Sequence, residues 1–191
     1  MSASPFSIHV AEHLDVVERT RRECADAVER LGSAATAALS ADAMLVWCGN
    51  GGSAADSQHL AAELVGRFRN NRRPLRSVAL TTDTSVLTCV GNDFGYDEIF
   101  ARQVEAVGRR GDLLIAISTS GNSENIRRAL IKARQVGMTT AALLGKGGGS
   151  CRDLADISIV VPSDSTARIQ EMHILIGHVL CDVIEHGLGF E

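Results

Sequence analysis

The chain is expected to be an α/β protein, a three-layer α/β/α sandwich around a parallel sheet, with an extra helix at its N-terminus. Three observations predict this. Short apolar runs without period-two alternation read as strands buried on both faces. Segments with helical spacing lie between them, as parallel strands joined by right-handed crossovers require. Gly- and Ser-rich stretches follow two of the runs, at the edge where such sheets bind ligands.

Residues 5–40 carry Val10, Leu14, Val17, Ala25, Val28 and Leu31 at helical spacing, with Ala35 to Leu39 beyond Gly32. They predict one or two amphipathic helices. Met44 to Cys48 is the first strand and runs into Asn50-Gly51-Gly52, after which Ser53 to Val65 reads as a helix. Ser77 to Leu80 is a strand, Ser85 to Val90 a helix, Asn92 to Asp97 a loop and Glu98 to Val107 a helix. Asp112 to Ile117 is the clearest strand, followed by a Ser/Thr-rich loop and a helix to about Val136. Thr139 to Leu144 and Asp156 to Val161 are strands separated by a flexible turn at Gly145–Gly149, and Ser165 to Glu185 is a long closing helix. The chain divides into an N-terminal helical segment, 1–40, and a sheet domain, 41–191.

Composition excludes several classes. Of 191 residues 45% are hydrophobic and 22% charged, which argues against extended disorder. The formal charge of −4 leaves no basic footprint, so no nucleic-acid partner is expected. No apolar run reaches the roughly 18 residues of a membrane span, and the first residues do not have the form of a secretory signal. Five cysteines (Cys24, Cys48, Cys89, Cys151, Cys181) lack CxxC spacing and read as reduced core thiols of a cytoplasmic protein.

Four constellations carry chemistry. Gly49-Asn-Gly-Gly-Ser-Ala-Ala-Asp56 joins a strand to a helix, so free N–H groups and the helix dipole favour an oxygen-rich ligand; a plain tight turn has the same pattern. Ser118-Thr-Ser-Gly-Asn-Ser123 places four hydroxyls within six residues between a strand and a helix. Capping needs one; the surplus suits a phosphate. His59 and Glu63 share one helix face at i,i+4 spacing. Gln170 and His178 lie two turns apart on one side of the last helix. His59, Glu63, Gln170 and His178 are one available ligand set for a divalent ion, and zinc fits that mix. His173 and His186 compete and read as helix-surface residues.

The segments GNGGSAADSQHLAAELVGRF, LTTDTSVLTCVGNDFGYDEIF, GDLLIAISTSGNSENI and RIQEMHILIGHVLCDVIE together resemble the sugar-isomerase (SIS) fold family, and within it the phosphoheptose isomerases. The resemblance covers roughly residues 40–188. It implies a five-stranded parallel sheet and a homotetramer with sites between subunits. It further implies an aldose–ketose isomerase that converts sedoheptulose 7-phosphate to D-glycero-D-manno-heptose 7-phosphate, the first step of nucleotide-heptose biosynthesis. By similarity Ser118, Thr119, Ser120 and Ser123 would hold the phosphate, and Asn50, Gly51, Gly52, Ser53, Asn92, Asp93 and Gln170 would line the sugar. His59, Glu63, Gln170 and His178 would hold zinc, with Glu63 and His178 as the acid/base pair. The rivals are an isomerase of another sugar phosphate, a sugar-phosphate-sensing module, and a non-catalytic branch of the same family that associates with a replication initiator. That branch keeps RIQEMH but replaces the residues at the positions of Glu63 and His178, both present here.

Overall fold

The computed structural model describes residues 4–190; residues 1–3 and 191, at the outer ends of the two segments read from the sequence, lie outside the described residues. The chain opens with α1 (Pro5–Ser40), whose start is capped by the Ser4 hydroxyl accepting from the Ser7 N–H at 3.2 Å. Then come β1 (Leu45–Gly49), α2 (Gly52–Val65), β2 (Ser77–Ala79), α3 (Thr84–Phe94) and a 3-10 turn at Tyr96–Glu98. α4 (Ala101–Val107), β3 (Leu113–Ser118), α5 (Glu124–Val136) and β4 (Thr139–Leu144) follow. A run of 3-10 turns over Lys146–Leu154, β5 (Ile157–Val160) and α6 (Thr166–Gly187) complete it.

The five strands are parallel, in the order β2-β1-β3-β4-β5. Successive residues of β1 and β3 feed two separate cores. Leu45, Trp47, Leu113, Ile115 and Ile117 face the layer of α1, α2 and α6, whereas Val46, Cys48, Leu114 and Ala116 face that of α3, α4 and α5. Every residue of both strands is buried, which is why neither shows an alternating pattern. β1 and β3 are neighbours from which the chain departs in opposite directions, so their C-terminal ends mark the switch point of the sheet.

Five expectations need correction. Asn92 and Asp93 are not in a loop: Asp83 caps α3 by accepting from the Val86 N–H at 3.0 Å, and the helix runs on until Gly95, whose φ of 90° only glycine adopts without strain. The helix expected from Glu98 starts at Ala101. The glycines 145–149 are not a free turn but pack on the loop after β3. A Cβ at Gly121 would lie 2.1 Å from the Gly148 carbonyl oxygen, and the Cys151 N–H donates to the Gly121 carbonyl at 2.9 Å. Cys89 is exposed on α3, while the other four cysteines are buried thiols. The N-terminal periodicity resolves as one helix. Gly32 does not break it but admits α6 closely, since a Cβ there would lie 2.8 Å from Val183 Cγ1.

His173 is also not on the surface. It is fully buried in α6, with Nε2 3.0 Å from the Leu144 carbonyl oxygen, and burial pushes its pKa down to about 4. An unfolded chain takes up this proton at an ordinary pKa of about 6.5, before the folded one does. Stability is therefore whole above pH 6.5 and falls as the pH drops towards 4, by about 3 kcal/mol from this group. In denaturant titrations at pH 7 and 4.5, His173→Gln should reduce the acid loss by about 2 kcal/mol relative to the parent. Equal losses would show that another group governs acid sensitivity.

Candidate active site

α2 and α6 run side by side in the same direction, in matched register. Gln170 meets the first turn of α2, Gly177 meets Leu60, and Glu185 meets the segment just beyond α2. The close approach depends on Gly177, where a Cβ would lie 2.4 Å from Leu60 Cδ1. This seats the next residue, His178, over the face of α2 that carries His59 and Glu63. The two imidazole Nε2 atoms are 2.9 Å apart, and Glu63 Oε1 is 3.3 Å from His59 Nε2. One ligand atom from each of the three residues lies within 4.8 Å of the others. The acid and the imidazole expected to act as a pair therefore do converge, from positions 115 residues apart, within one chain.

The donor set suits a metal. Tetrahedral zinc bound at about 2.0–2.2 Å holds its ligands roughly 3.3 Å apart, close to the spacing here. Two imidazole nitrogens facing each other at 2.9 Å can share only one proton without repulsion, which a cation between them would relieve. Two histidines and one carboxylate leave the fourth position open, as in catalytic sites. Gln170, the expected fourth donor, stands on α6 two turns before His178. Its Nε2 donates towards both oxygens of Asp56, at 3.3 and 3.5 Å, and its amide lies over Gly52, where a Cβ would be 2.4 Å away. Burial raises the Asp56 pKa, opposed by the Gln170 amide and by His59.

The hydroxyl loop lies at the end of β3. Ser118 Oγ is 3.3 Å from Ser123 Oγ and 3.5 Å from Ser120 Oγ, and it accepts from the Gly121 N–H at 3.1 Å. Ser123 occupies the N-cap of α5 yet makes no side-chain capping bond, so its hydroxyl faces the loop. Thr119 is half-buried beside them. The loop is braced from below by Asn122, whose Oδ1 accepts from the Ser150 N–H at 2.9 Å. The result is a ring of hydroxyls around a helix N-terminus, able to take an anion without lysine.

The β1 loop faces it across the switch point. Gly51 takes a φ of 56°, and the Ser53 N–H closes the turn onto the Asn50 carbonyl at 3.0 Å. The Asn50 side chain is committed to a reciprocal pair of 2.9 Å bonds with buried Asn125, and it accepts from the Tyr96 hydroxyl at 3.0 Å. It therefore ties the β1 loop to α5 and to the turn after α3. Asn92 and Asp93 are exposed at the end of α3 and bonded to each other at 2.8 Å; among the described residues, neither side chain bonds to the hydroxyl loop or to the His–Glu–His cluster.

Sequence reasoning missed Asn125, Tyr96, Asp56 and Phe68, and also a buried clasp beyond α2. Glu185 accepts the N–H groups of Phe68, Arg69 and Asn70 at 3.0–3.1 Å and the Arg72 Nε at 2.8 Å. Arg72 in turn donates to the carbonyls of Glu63 and Leu64, both at 2.8 Å, capping the C-terminal end of α2. Burial resists the Glu185 charge, but the three N–H groups and the guanidinium outweigh it and hold the carboxyl below its ordinary pKa. Only Asp56 had a signal within reach, one turn before His59 on the same helix.

Among known proteins, the SIS domain model matches residues 9–145. The phosphoheptose isomerase of Akkermansia muciniphila is 55% identical over 158 residues, covering 83% of this chain and 84% of its own. That of Paramagnetospirillum magneticum is 53% identical over 176 residues, 92% of each. The structure of the phosphoheptose isomerase from Neisseria gonorrhoeae superimposes with a TM-score of 0.90 at 42% identity, covering 95% of this chain and 97% of that one. With the α/β/α frame and the convergent His–Glu–His cluster, these likenesses settle the family: the chain is a SIS-domain protein and belongs to the phosphoheptose isomerases.

Proposed function

We propose that the chain interconverts sedoheptulose 7-phosphate and D-glycero-D-manno-heptose 7-phosphate through an enediolate, using Glu63 and His178 as acid/base groups. The observation that carries this is the convergence of His59, Glu63 and His178 from α2 and α6 within 4.8 Å. Moving the carbonyl from C2 to C1 requires a base to take a proton from C1 of the ketose and return one to C2. It also requires a second group to pass a proton from O1 to O2. A carboxylate suits the carbon proton and an imidazole the oxygen shuttle. The hydroxyls of Ser118, Thr119, Ser120 and Ser123 hold the phosphate. The turn Asn50-Gly51-Gly52-Ser53, with Asn92, Asp93 and Gln170, lines the sugar. Asn50 does so through its backbone, its side chain being occupied.

His59, Glu63 and His178 would hold zinc, with Gln170 as fourth ligand through its amide oxygen while Nε2 donates to Asp56. A bound divalent ion would polarise the two sugar oxygens. Glu63 as base and Glu63 as ligand are competing uses of one carboxylate. A non-catalytic scaffold would have no need of this cluster.

We also infer a homotetramer with shared sites and a cytoplasmic setting. His59 and Glu63 lie about 10 and 16 Å along α2 from Gly52, at 1.5 Å per residue. The helix leads away from the loop edge, so the acid/base pair lies two to three turns from the glycine turn that opens α2. A subunit boundary that sets one protomer's cluster against its partner's cradle would complete the site. The exposed stripe Leu175, Val179 and Val183 on α6, with Phe6 and Leu14 on α1, supplies an apolar face for such contacts.

The purified protein, incubated with sedoheptulose 7-phosphate, should form the aldose phosphate, and chelator should remove most of that activity, with recovery on adding Zn2+. No aldose phosphate in any condition would defeat the assignment.

A further inference from the structure

His178 is held from three sides, and only two are accounted for by the groups above. Its Nε2 meets that of His59, with the rings edge-on at 73°, and its backbone is fixed by Gly177 against Leu60. The third side is Phe68. Its ring stacks on the imidazole with centroids 5.6 Å apart and planes within 18°. Phe68 is not on either helix but in the irregular segment after α2, where a side chain is ordinarily free to swing. Here the segment is clasped. The Phe68 N–H and the next two backbone N–H groups are bonded to buried Glu185, two turns along α6 from His178. The Arg69 guanidinium lies over the Phe68 ring, 5.4 Å from the centroid, and is itself paired with Asp182 of α6 at 2.9 Å. Arg72 closes the loop onto the Glu63 carbonyl. α6 thus carries the imidazole and, one and two turns later, the two carboxylates that hold a flat ring against it.

We propose that Phe68 is a positioning residue for His178, a flat wall that sets the plane of the imidazole, with Glu185 and Asp182 holding that wall in place; this rests on the reading of His178 as an acid/base group. A terminal ring torsion is broad when nothing packs on it. Stacking narrows it to the plane in which Nε2 points at His59. Proton transfer is steeply sensitive to such alignment. The role needs a planar side chain, not merely an apolar one, and this separates it from simple packing.

The test compares Phe68→Leu, which keeps apolar volume but not planarity, with Phe68→Tyr, which keeps both. Phe68 is only partly buried, so both variants should fold, with thermal unfolding close to the parent. We expect Phe68→Leu to lower kcat about tenfold with KM within about twofold, and Phe68→Tyr to restore kcat to within about twofold. A readout independent of turnover is Co2+ affinity of chelator-stripped protein, followed by visible absorption; it should weaken several-fold in Phe68→Leu and not in Phe68→Tyr. A further measurement needs no variant: in the unsubstituted protein the carbon-bound ring protons of His178 should resonate upfield of ordinary histidine. Phe68→Leu matching the parent in both kcat and Co2+ affinity, or unshifted His178 protons, would overturn the role of Phe68 and leave the isomerase intact. A parent protein that neither turns over phosphosugar nor binds Co2+ would overturn both.

Discussion

Glu63→Gln should cut turnover of sedoheptulose 7-phosphate by about 10²–10⁴-fold, the usual worth of a positioned proton-transfer group. The substitution keeps size and hydrogen-bonding capacity but cannot accept a carbon-bound proton. Glu63 is partly exposed and, among the described residues, its carboxylate forms an ion pair only with His59, so thermal unfolding should barely move. KM should change little, because phosphate and sugar are held by other groups. The measurement is steady-state isomerisation beside a binding assay for the phosphosugar. Exchange of the C1 proton with solvent deuterium separates the two uses of the carboxylate. A base role predicts that exchange is lost together with turnover even at saturating Zn2+, whereas a purely ligating role predicts recovery as Zn2+ is raised. Near-parental turnover would remove Glu63 from the chemistry.

Glu185→Ala should strike hardest at stability. The Arg72 and Glu185 side chains are 0% and 2% exposed, and truncating one leaves a guanidinium uncompensated in the interior together with three backbone N–H groups. Breaking such a pair costs about 3–5 kcal/mol, a fall in Tm of roughly 10 °C at this size. Because the folded pKa of Glu185 lies below its ordinary value, its contribution is fully present above about pH 4.5 and is lost as the pH falls through the folded pKa. The gap between parent and variant should therefore be widest at neutral pH and narrow in acid, which denaturant titrations at pH 7 and 3.5 would show. A variant within 1 kcal/mol of the parent would mean that solvent reaches the clasp.

The frame is legible in the sequence because its signals are local. Buried runs such as Leu113 to Ile117 are unbroken where both faces are covered, and the glycine and serine clusters stand at strand ends where the backbone must turn. The cluster of His59, Glu63 and His178 is half legible. The i,i+4 pair is a property of one helix, but its meeting with His178 depends on the register of α2 on α6, which Gly177 sets by contact and not by pattern. What stays hidden are partnerships between distant residues whose neighbours look ordinary. Glu185 and Arg72 read as surface charges in any window, and Phe68 as one more apolar residue after a helix. Asn50 is placed at the sugar only by the resemblance, and nothing near it in the sequence announces the bonds of its side chain to Asn125 and Tyr96. His173 misleads because a histidine among hydrophobic neighbours carries no sign of which face it takes.

The parallel course of α2 and α6 also bears on what changes in chain length the protein could tolerate. His178 and Glu185 serve opposite ends of one arrangement, and adding a single residue between them would rotate one against the other by about 100°. No side-chain adjustment could absorb that angle, so the count of residues between them is as much a part of the active centre as their identities. Insertions and deletions compatible with catalysis should be confined to surface turns and to the far ends of α1 and α6.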